Sequence, residues 1–562
     1  MKKLFSILII AILFANCTAT KEDKVVGLIA EKAMVVSARV EASQIGSDIL
    51  KKGGNAYDAM IATQLALAVV HPVAGNIGGG GFMVFRHSDG KSGSLDFREK
   101  APLSSDKDMY LDEKGNVIPD KSSFGVHSSG VPGSVAGIVE VYEKYGSLPF
   151  KDLVQPAIDL ARNGYKVTKN QARSLNGTRE RFEKANNYKI PFDAEWKEGD
   201  VVKSEELAQT LERIRDNGRD GFYKGKTADL IVNYVKELGG IITHEDLEKY
   251  KAIWRKPIVF DYKGYKITSM TLPASGGICL AQILKSIEPY DFSKIEHNST
   301  KYIQLLTEAE RRSYADRAHY LGDMDFVNVP IDSLTAPKYI KDRMSTFSWD
   351  KATKSSDVSH GEVLGSESNE TTHYSIVDKF GNAVSVTTTL NTGYGSKVFV
   401  KGAGFFLNNE MDDFSAKPGV PNVYGLLGSA ANAIAPEKRM LSSMTPTIVE
   451  KDGKLRMVVG TPGGSTIITS VLQNILNVIE YDMGMQESVN KARFHHQWLP
   501  DNIRMEPRGF DSITKLNLKA LGYEILEENS LIIGRVDAIL VLPNGKLEGG
   551  ADPRGDDAAV GY

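Results

Sequence analysis

The sequence predicts a mixed fold of helices and antiparallel sheets, and three observations carry that prediction. Between Glu41 and Tyr320, segments with helical periodicity follow one another, several closed by glycine. In the last third, β-branched runs are joined by tight turns at Lys379-Phe380-Gly381-Asn382 and Asp452-Gly453, which make neighbouring strands antiparallel. Among the helices, Ala56 to Val70 is apolar nearly all round and needs cover on every side. A chain of 562 residues has room for roughly two to four domains or for one large unit.

Composition excludes several classes. Apolar residues make up 41% and charged residues 25%, ordinary for a globular protein. Lys plus Arg is 68 against 71 for Asp plus Glu, a net charge of −3. No bulk field therefore draws nucleic acid or an acidic membrane. The 52 glycines cluster, without a repeat of fixed period or a low-complexity tract.

The first residues read as a leader. Met1-Lys2-Lys3 is a short basic start, and Leu4 to Ala15 is an apolar core too short to cross a bilayer as a stop-transfer helix. Cys17 follows. The pattern resembles a bacterial lipoprotein signal over residues 1–17. That resemblance implies a lipidated Cys17 and a mature chain on the periplasmic side of the cell envelope. Phe14 and Asn16 depart from it, so simple export and a buried N-terminal helix stay open. Cys279, in Gly277-Ile278-Cys279-Leu280-Ala281, reads as a small buried hydrophobe. An acylated Cys17 leaves it no partner for an intrachain disulfide.

In order along the chain, Ala33 to Ala38 reads as a strand and Glu41 to Lys52 as a helix stopped by Gly53-Gly54. Asn55 caps the apolar helix, which His71-Pro72 ends. Gly75 to Gly81 lacks the Lys-Ser/Thr and the helix start of a phosphate loop, and runs into the strand Phe82 to Phe85. It reads as a turn where backbones pass closely. Ser94 to Pro102 delivers Arg98 to the end of a strand; a surface ion pair and a rigid carboxylate clamp are the two readings of that arginine. Gly130 to Gly137 is a second close-approach turn, leading into a helix to about Lys144. Phe150 to Asn163, Glu205 to Asp216, Thr227 to Leu238, Gly276 to Ile287 and Thr300 to Tyr320 are amphipathic helices, with short strands at Ile258 to Phe260 and Tyr265 to Ile267. Beyond Asn369 the character changes. A hairpin pairs Tyr374 to Val377 with Ala383 to Leu390, and a long loop runs from Asn408 to Met440. Thr447 to Glu450 pairs with Leu455 to Gly460. The turn Thr461-Pro462-Gly463-Gly464-Ser465 feeds the helix Thr466 to Glu480, and a helix near Gln486 to Arg493 and a strand at Ala538 to Val541 finish the chain.

The stretch Glu370-Thr371-Thr372-His373-Tyr374-Ser375-Ile376-Val377-Asp378 has two readings. One is an ordinary hairpin strand. The other is a cut before Thr371, whose hydroxyl would then be a nucleophile and whose new amine would be its base. A threonine hydroxyl is a poor nucleophile alone, and an α-amino group with a pKa near ~7.7–8.0 is suited to activate it at neutral pH.

Six motifs in one order decide between them. Leu95 to Pro102, Thr371 to Asp378, Thr389-Leu390-Asn391, Leu407-Asn408-Asn409-Glu410-Met411-Asp412-Asp413-Phe414, Leu441-Ser442-Ser443-Met444 and Gly463-Gly464 together resemble the signature set of the γ-glutamyltranspeptidases, N-terminal nucleophile hydrolases. The resemblance runs from about Ala33 to Tyr562. It implies an α+β fold, a four-layer αββα sandwich, and self-cleavage between Glu370 and Thr371 into intertwined subunits, 18–370 and 371–562. It implies transfer of the γ-glutamyl group of glutathione or other γ-glutamyl amides, through an ester on Thr371, to water or to amino acids and dipeptides. No metal or organic cofactor is implied.

Residue by residue, the resemblance implies that Arg98, Ser442 and Ser443 take the substrate's α-carboxylate. Asn391, Glu410 and Asp413 take its α-ammonium. Gly463 and Gly464 offer backbone N–H groups to an oxyanion, where a side chain would obstruct. Thr389 bonds the nucleophile and assists processing, and Tyr424 walls off the site. A Thr371–His373 pair and metal sites at Asp412-Asp413 or His495-His496 are weaker readings of the same residues. Gly550 to Asp556 reads as structural. The nearest alternative is a related acylase, a cephalosporin acylase or a capsule-processing transpeptidase; an alternative of another class is a non-catalytic envelope protein whose chain stays uncut.

Overall fold

Strand alternation decides which side of each sheet is which. In the computed structural model, which describes residues 25–358, 371–527 and 532–562, Val35 of strand Met34–Ser37 packs with helices while Met34 and Val36 pack toward a second sheet. Strand Gly80–Arg86 does the same: Met83 and Phe85 face helices, Phe82 and Val84 the opposite sheet. A strand's side chains alternate faces, so each strand here feeds two cores at once.

Among the described residues, two seven-stranded antiparallel sheets stack face to face. One runs, in spatial order, Ala558–Gly561, Met34–Ser37, Thr372–Val377, Ala383–Thr389, Gly80–Arg86, Ser92–Asp96, Ile253–Arg255. The other runs Leu28–Ala30, Leu547–Gly550, Asp537–Val541, Lys454–Gly460, Thr447–Lys451, Tyr265–Ser269, Ile258–Tyr262. Ser375 Oγ donates to the Asp537 carbonyl at 2.9 Å and Ser385 Oγ to the Val459 carbonyl at 3.1 Å, tying the sheets together. The apolar layer between them includes Phe82, Met270, Ile448, Val458 and Ile539. Helices between Val40 and Lys249 cover the first sheet, and Gly276–Ile287, Thr300–Tyr320 and Ile467–Ile479 cover the second. This is the four-layer αββα arrangement.

Helix Ala56–Val70 is buried along its whole length, as its all-round apolar sequence requires. Asn55 and Asp58 close its N-terminus in a capping box, worth about 1 kcal/mol. Each buried Leu, Ile, Val or Met in it adds about 1.5–3 kcal/mol. The turn after it is a close approach: a Cβ on Gly79 would lie 2.0 Å from the Thr389 carbonyl oxygen.

Both sheets take strands from before and after Thr371, as the expected intertwined sandwich requires. Other expectations change. Helix Thr300–Tyr320 is not amphipathic. It is buried from Tyr302 to Arg317, charged residues included, because the chain from His496 to Asp501 covers the face its charges suggested was wet: the His496 N–H bonds Glu310 and Asp501 pairs with Arg311. Arg312 with Glu308 at 2.6 Å and Arg343 with Asp316 at 3.0 Å neutralise part of it. Helix Lys169–Ala185 and strands Leu547–Gly550 and Ala558–Gly561 had no reading in the sequence. The leader with Cys17, and Glu370, lie outside the described residues. Among the described residues no helix is long and apolar enough to cross a membrane.

Candidate active site

Thr371 stands at the head of the second strand-pairing of the sandwich, just before Thr372–Val377, and is 5% exposed. It opens onto a small cavity. The same cavity is lined by Arg98, Thr389, Asn391, Glu410, Asp413, Tyr424, Ser442, Ser443 and Gly464. Of the predicted site residues described, only Gly463 is not on its wall; it adjoins through Gly464.

Local folding explains each placement. Arg98 follows strand Ser92–Asp96; its N–H bonds Asp96 Oδ1 at 3.0 Å and its carbonyl accepts from Tyr250 at 2.6 Å, so the backbone is fixed before the side chain reaches inward. Thr389 ends the hairpin's second strand, and its Oγ1 accepts the Asn391 N–H at 2.7 Å. Asn391 itself has φ 77°, a left-handed conformation that asparagine tolerates better than most residues. Its Nδ2 donates to the Asn409 carbonyl at 3.0 Å. Glu410 and Asp413 sit on the short helix Glu410–Asp413 at the start of the long loop.

At the opposite wall, Gly463 and Gly464 have φ of 140° and 55°. A Cβ on Gly464 would come within 2.5 Å of the Tyr424 ring. Tyr424 closes the top: its hydroxyl donates to the Asn391 carbonyl at 2.6 Å, and its carbonyl accepts from Gln497 at 3.3 Å. The loop beneath it is anchored by Asn422 Nδ2 on Asp413 Oδ1 at 3.0 Å and by the Val423 N–H on Asp412 Oδ2 at 2.8 Å. Asp412 thus holds the lid rather than the cavity.

The charges are crowded. Arg98 Nη1 pairs with Glu410 Oε1, Arg98 Nη2 with Asp413 Oδ2 at 2.5 Å, and Glu99 Oε2 lies 4.0 Å from Nη1. Burial pushes the Glu410 and Asp413 carboxyls up from the usual range, against the pull of Arg98. It pushes Glu99 up to about 7. One arginine faces three buried carboxyls, so negative groups outnumber positive ones there. Such a site suits a ligand that carries both charges.

The rival readings fall out of the geometry. His373 faces the other sheet over Gly460, bonded to Thr387 Oγ1 at 2.9 Å and Ser375 Oγ at 3.1 Å. Burial holds its pKa down to about 3, so it stays neutral. His495 is bonded at both ring nitrogens, to Thr469 and Gln497, each at 2.9 Å. His496 approaches Asp501 at 3.3 Å. Two residues at the site had no role in the sequence reading. Glu99 was visible only as the neighbour of Arg98. Arg317 was one of many charges on a helix taken to be half solvated; its burial on that helix was the missing signal.

The chain is similar to several known proteins. The family model for gamma-glutamyltranspeptidase matches residues 42–562. The glutathione hydrolase proenzyme of Escherichia coli (strain K12) is 48% identical over 542 residues, covering 95% of this chain and 92% of its own length. The solved cephalosporin acylase from Bacillus halodurans superposes with a TM-score of 0.85 at 26% identity, covering 98% of this chain and 99% of its own. A chain of the Helicobacter pylori gamma-glutamyltranspeptidase matches at TM-score 0.56 and 45% identity, covering 60% of this chain and 95% of its own.

Proposed function

The chain belongs to the γ-glutamyltranspeptidase family, and on that premise we propose that Thr371, freed from Glu370 by self-cleavage, is the residue through which it moves γ-glutamyl groups. It is an enzyme, a glutathione hydrolase and γ-glutamyltransferase of the N-terminal nucleophile class. The observation that carries the residue assignment is the single cavity where Thr371 meets Arg98, Asn391, Glu410, Asp413, both serines and Gly464. These come from segments scattered over more than half the chain.

In the precursor, Thr371 Oγ attacks the Glu370 carbonyl carbon and the peptide nitrogen leaves, giving an ester by N→O acyl shift. Water adds to the ester, releasing the Glu370 carboxyl and leaving Thr371 with a free amine. Residues up to 370 then form the large subunit and 371–562 the small one, held together by the shared sheets. In turnover, the amine takes the Thr371 hydroxyl proton while Oγ attacks the γ-carbonyl carbon of the substrate. Negative charge gathers on the carbonyl oxygen, toward the Gly463 and Gly464 N–H groups. Collapse expels the amine of the substrate, cysteinylglycine from glutathione, which takes the proton back. Water, or an amino acid or dipeptide, then attacks the γ-glutamyl ester and restores Thr371.

The substrate head is a zwitterion. Its α-carboxylate is placed against Arg98 and the Ser442 and Ser443 hydroxyls, its α-ammonium against Glu410, Asp413 and Asn391. Arg98 already bonds two carboxylates, but a guanidinium has five donors and can hold a third in the cavity. In this reading Thr389 bonds the nucleophile and Tyr424 keeps water from the ester. The leader over residues 1–17 supports export to the cell envelope with Cys17 as a lipid anchor.

Incubation with γ-glutamyl-p-nitroanilide beside glutaryl-p-nitroanilide, together with a denaturing gel, tests the reading. Expected are two chains in place of one of 61.5 kDa, and preference for the γ-glutamyl compound. An uncut chain, or glutaryl preference of the acylase kind, would overturn it.

A further inference from the structure

Arg317, 3% exposed within helix Thr300–Tyr320, has no carboxylate at ion-pair distance among the described residues. Its bonds go to hydroxyls. Nε donates to Ser275 Oγ at 2.9 Å and Nη2 to Ser443 Oγ at 3.1 Å. Ser275 passes the constraint on: its Oγ donates to the Ser442 carbonyl at 2.6 Å and its N–H to the same oxygen at 2.8 Å. One guanidinium thus holds Ser443 directly and Ser442 through Ser275.

The direction of these bonds matters more than their number. A guanidinium only donates. Ser443 Oγ must accept from it, which leaves the one hydroxyl hydrogen of Ser443 to point elsewhere. Ser442 is held in the same sense, because its Oγ accepts the Met444 N–H at 3.1 Å. Both serines line the cavity beside Arg98. Each serine has accepted one bond from protein and keeps its hydroxyl hydrogen for another partner, which an anion in the cavity completes. Charge argues the same way. Glu99, Glu410 and Asp413 crowd Arg98, so the cavity without Arg317 would repel a carboxylate.

We propose that Arg317 is a positioning and specificity residue for the α-carboxylate of the γ-glutamyl group, acting through Ser443 and supplying the positive charge that Arg98 shares out. The role rests on the γ-glutamyl reading above. Arg317 does not touch the reacting atoms.

The test is a double-mutant cycle on γ-glutamyl-p-nitroanilide with Arg317→Met, Ser443→Ala and the pair. Each single change is expected to raise KM about 10-fold or more with kcat held within about threefold, the cost of a charge-supported hydrogen bond. The double variant is expected to be no worse than the worse single one, since both remove the same donor. Arg317→Lys is expected to recover part of the loss. As a competing ligand, 4-aminobutyryl-p-nitroanilide has the ammonium but no α-carboxylate, and Arg317→Met is expected to leave its inhibition constant unchanged. Multiplied losses in the double variant, a fall in kcat at constant KM, or equal weakening of the 4-aminobutyryl compound would overturn the assignment. So would loss of self-cleavage in both the Met and the Lys variants. A wild-type protein without γ-glutamyl turnover would instead overturn the function it rests on.

Discussion

Arg98 and Asp413 meet at 2.5 Å across 315 positions of sequence, the first from the end of a sheet strand and the second from the loop that carries the lid. The pair spans the expected cut at Glu370–Thr371. It ties the proposed substrate head site to the chain on both sides of that cut, and Asn422 on the other Asp413 oxygen, at 3.0 Å, ties it to the loop of Tyr424 as well.

Arg98→Ala should separate binding from processing. Precursor cleavage has no glutamate head to hold, so the chain is expected to split. KM for γ-glutamyl-p-nitroanilide should rise by about 100-fold, matching roughly 3 kcal/mol for a lost charged bond set. Steady-state kinetics beside the cut fraction on a gel reads both. Equal loss of the two would mean that Arg98 serves folding, through the carboxylates left unpaired.

Thr371→Ala removes nucleophile and internal bond-breaker together. One full-length band and no γ-glutamyl release are expected, while Thr371→Ser, which keeps an oxygen, should still split, more slowly. If the alanine variant cleaves normally, the nucleophile lies elsewhere and the cavity needs a new reading.

The candidate site was legible through resemblance: six short motifs, each weak alone, stand in the order of a known family. Read locally, Arg98 at a strand end left a surface ion pair open. The hairpin was legible because its turn is local, and Gly381, at φ 89°, supplies the conformation it needs. Arg317 and Glu99 were not, because a charge on a periodic helix or beside another charge looks solvated until distant chain covers it. The same holds for strand Ala558–Gly561, which pairs with Met34–Ser37 across most of the chain. Its four residues carry no pattern that names a partner so remote. The cover over Thr300–Tyr320 is equally non-local, and that is why its periodicity misled.

Gly464→Ala should cost catalysis more than binding. The residue sits at φ 55°, and a Cβ would strike the Tyr424 ring. The backbone must turn to relieve this, taking its N–H away from the oxyanion position. A fall in kcat of about 100-fold or more is expected, with KM much less changed. Adding Tyr424→Ala removes the obstacle but not the left-handed strain. Full recovery in that double variant would show that the glycine serves only the lid.

Glu99 sets a pH dependence of stability whose sign follows from its burial. Neither carboxyl oxygen has a well-formed hydrogen bond among the described residues, and the Arg98 Nη1 is 4.0 Å away. Burial, only partly offset by Arg98, raises its pKa to about 7 from an unfolded value near 4.5. Between those values the folded chain holds a proton that the unfolded chain has released. Stability from this group is therefore full below about pH 4.5 and is lost as pH rises to about 7, at no more than about 1.4 kcal/mol per unit. Glu99→Gln keeps the neutral shape and removes that slope. Urea unfolding of the uncut Thr371→Ala chain, with and without Glu99→Gln, at pH 5, 6, 7 and 8 measures it while avoiding dissociation of two subunits. The stability difference between the two proteins should shift in favour of the glutamine variant from pH 5 to 7 and then level off. A difference that does not move with pH would show that Glu99 ionises like an ordinary carboxylate, and that the charge crowding around Arg98 is relieved without it.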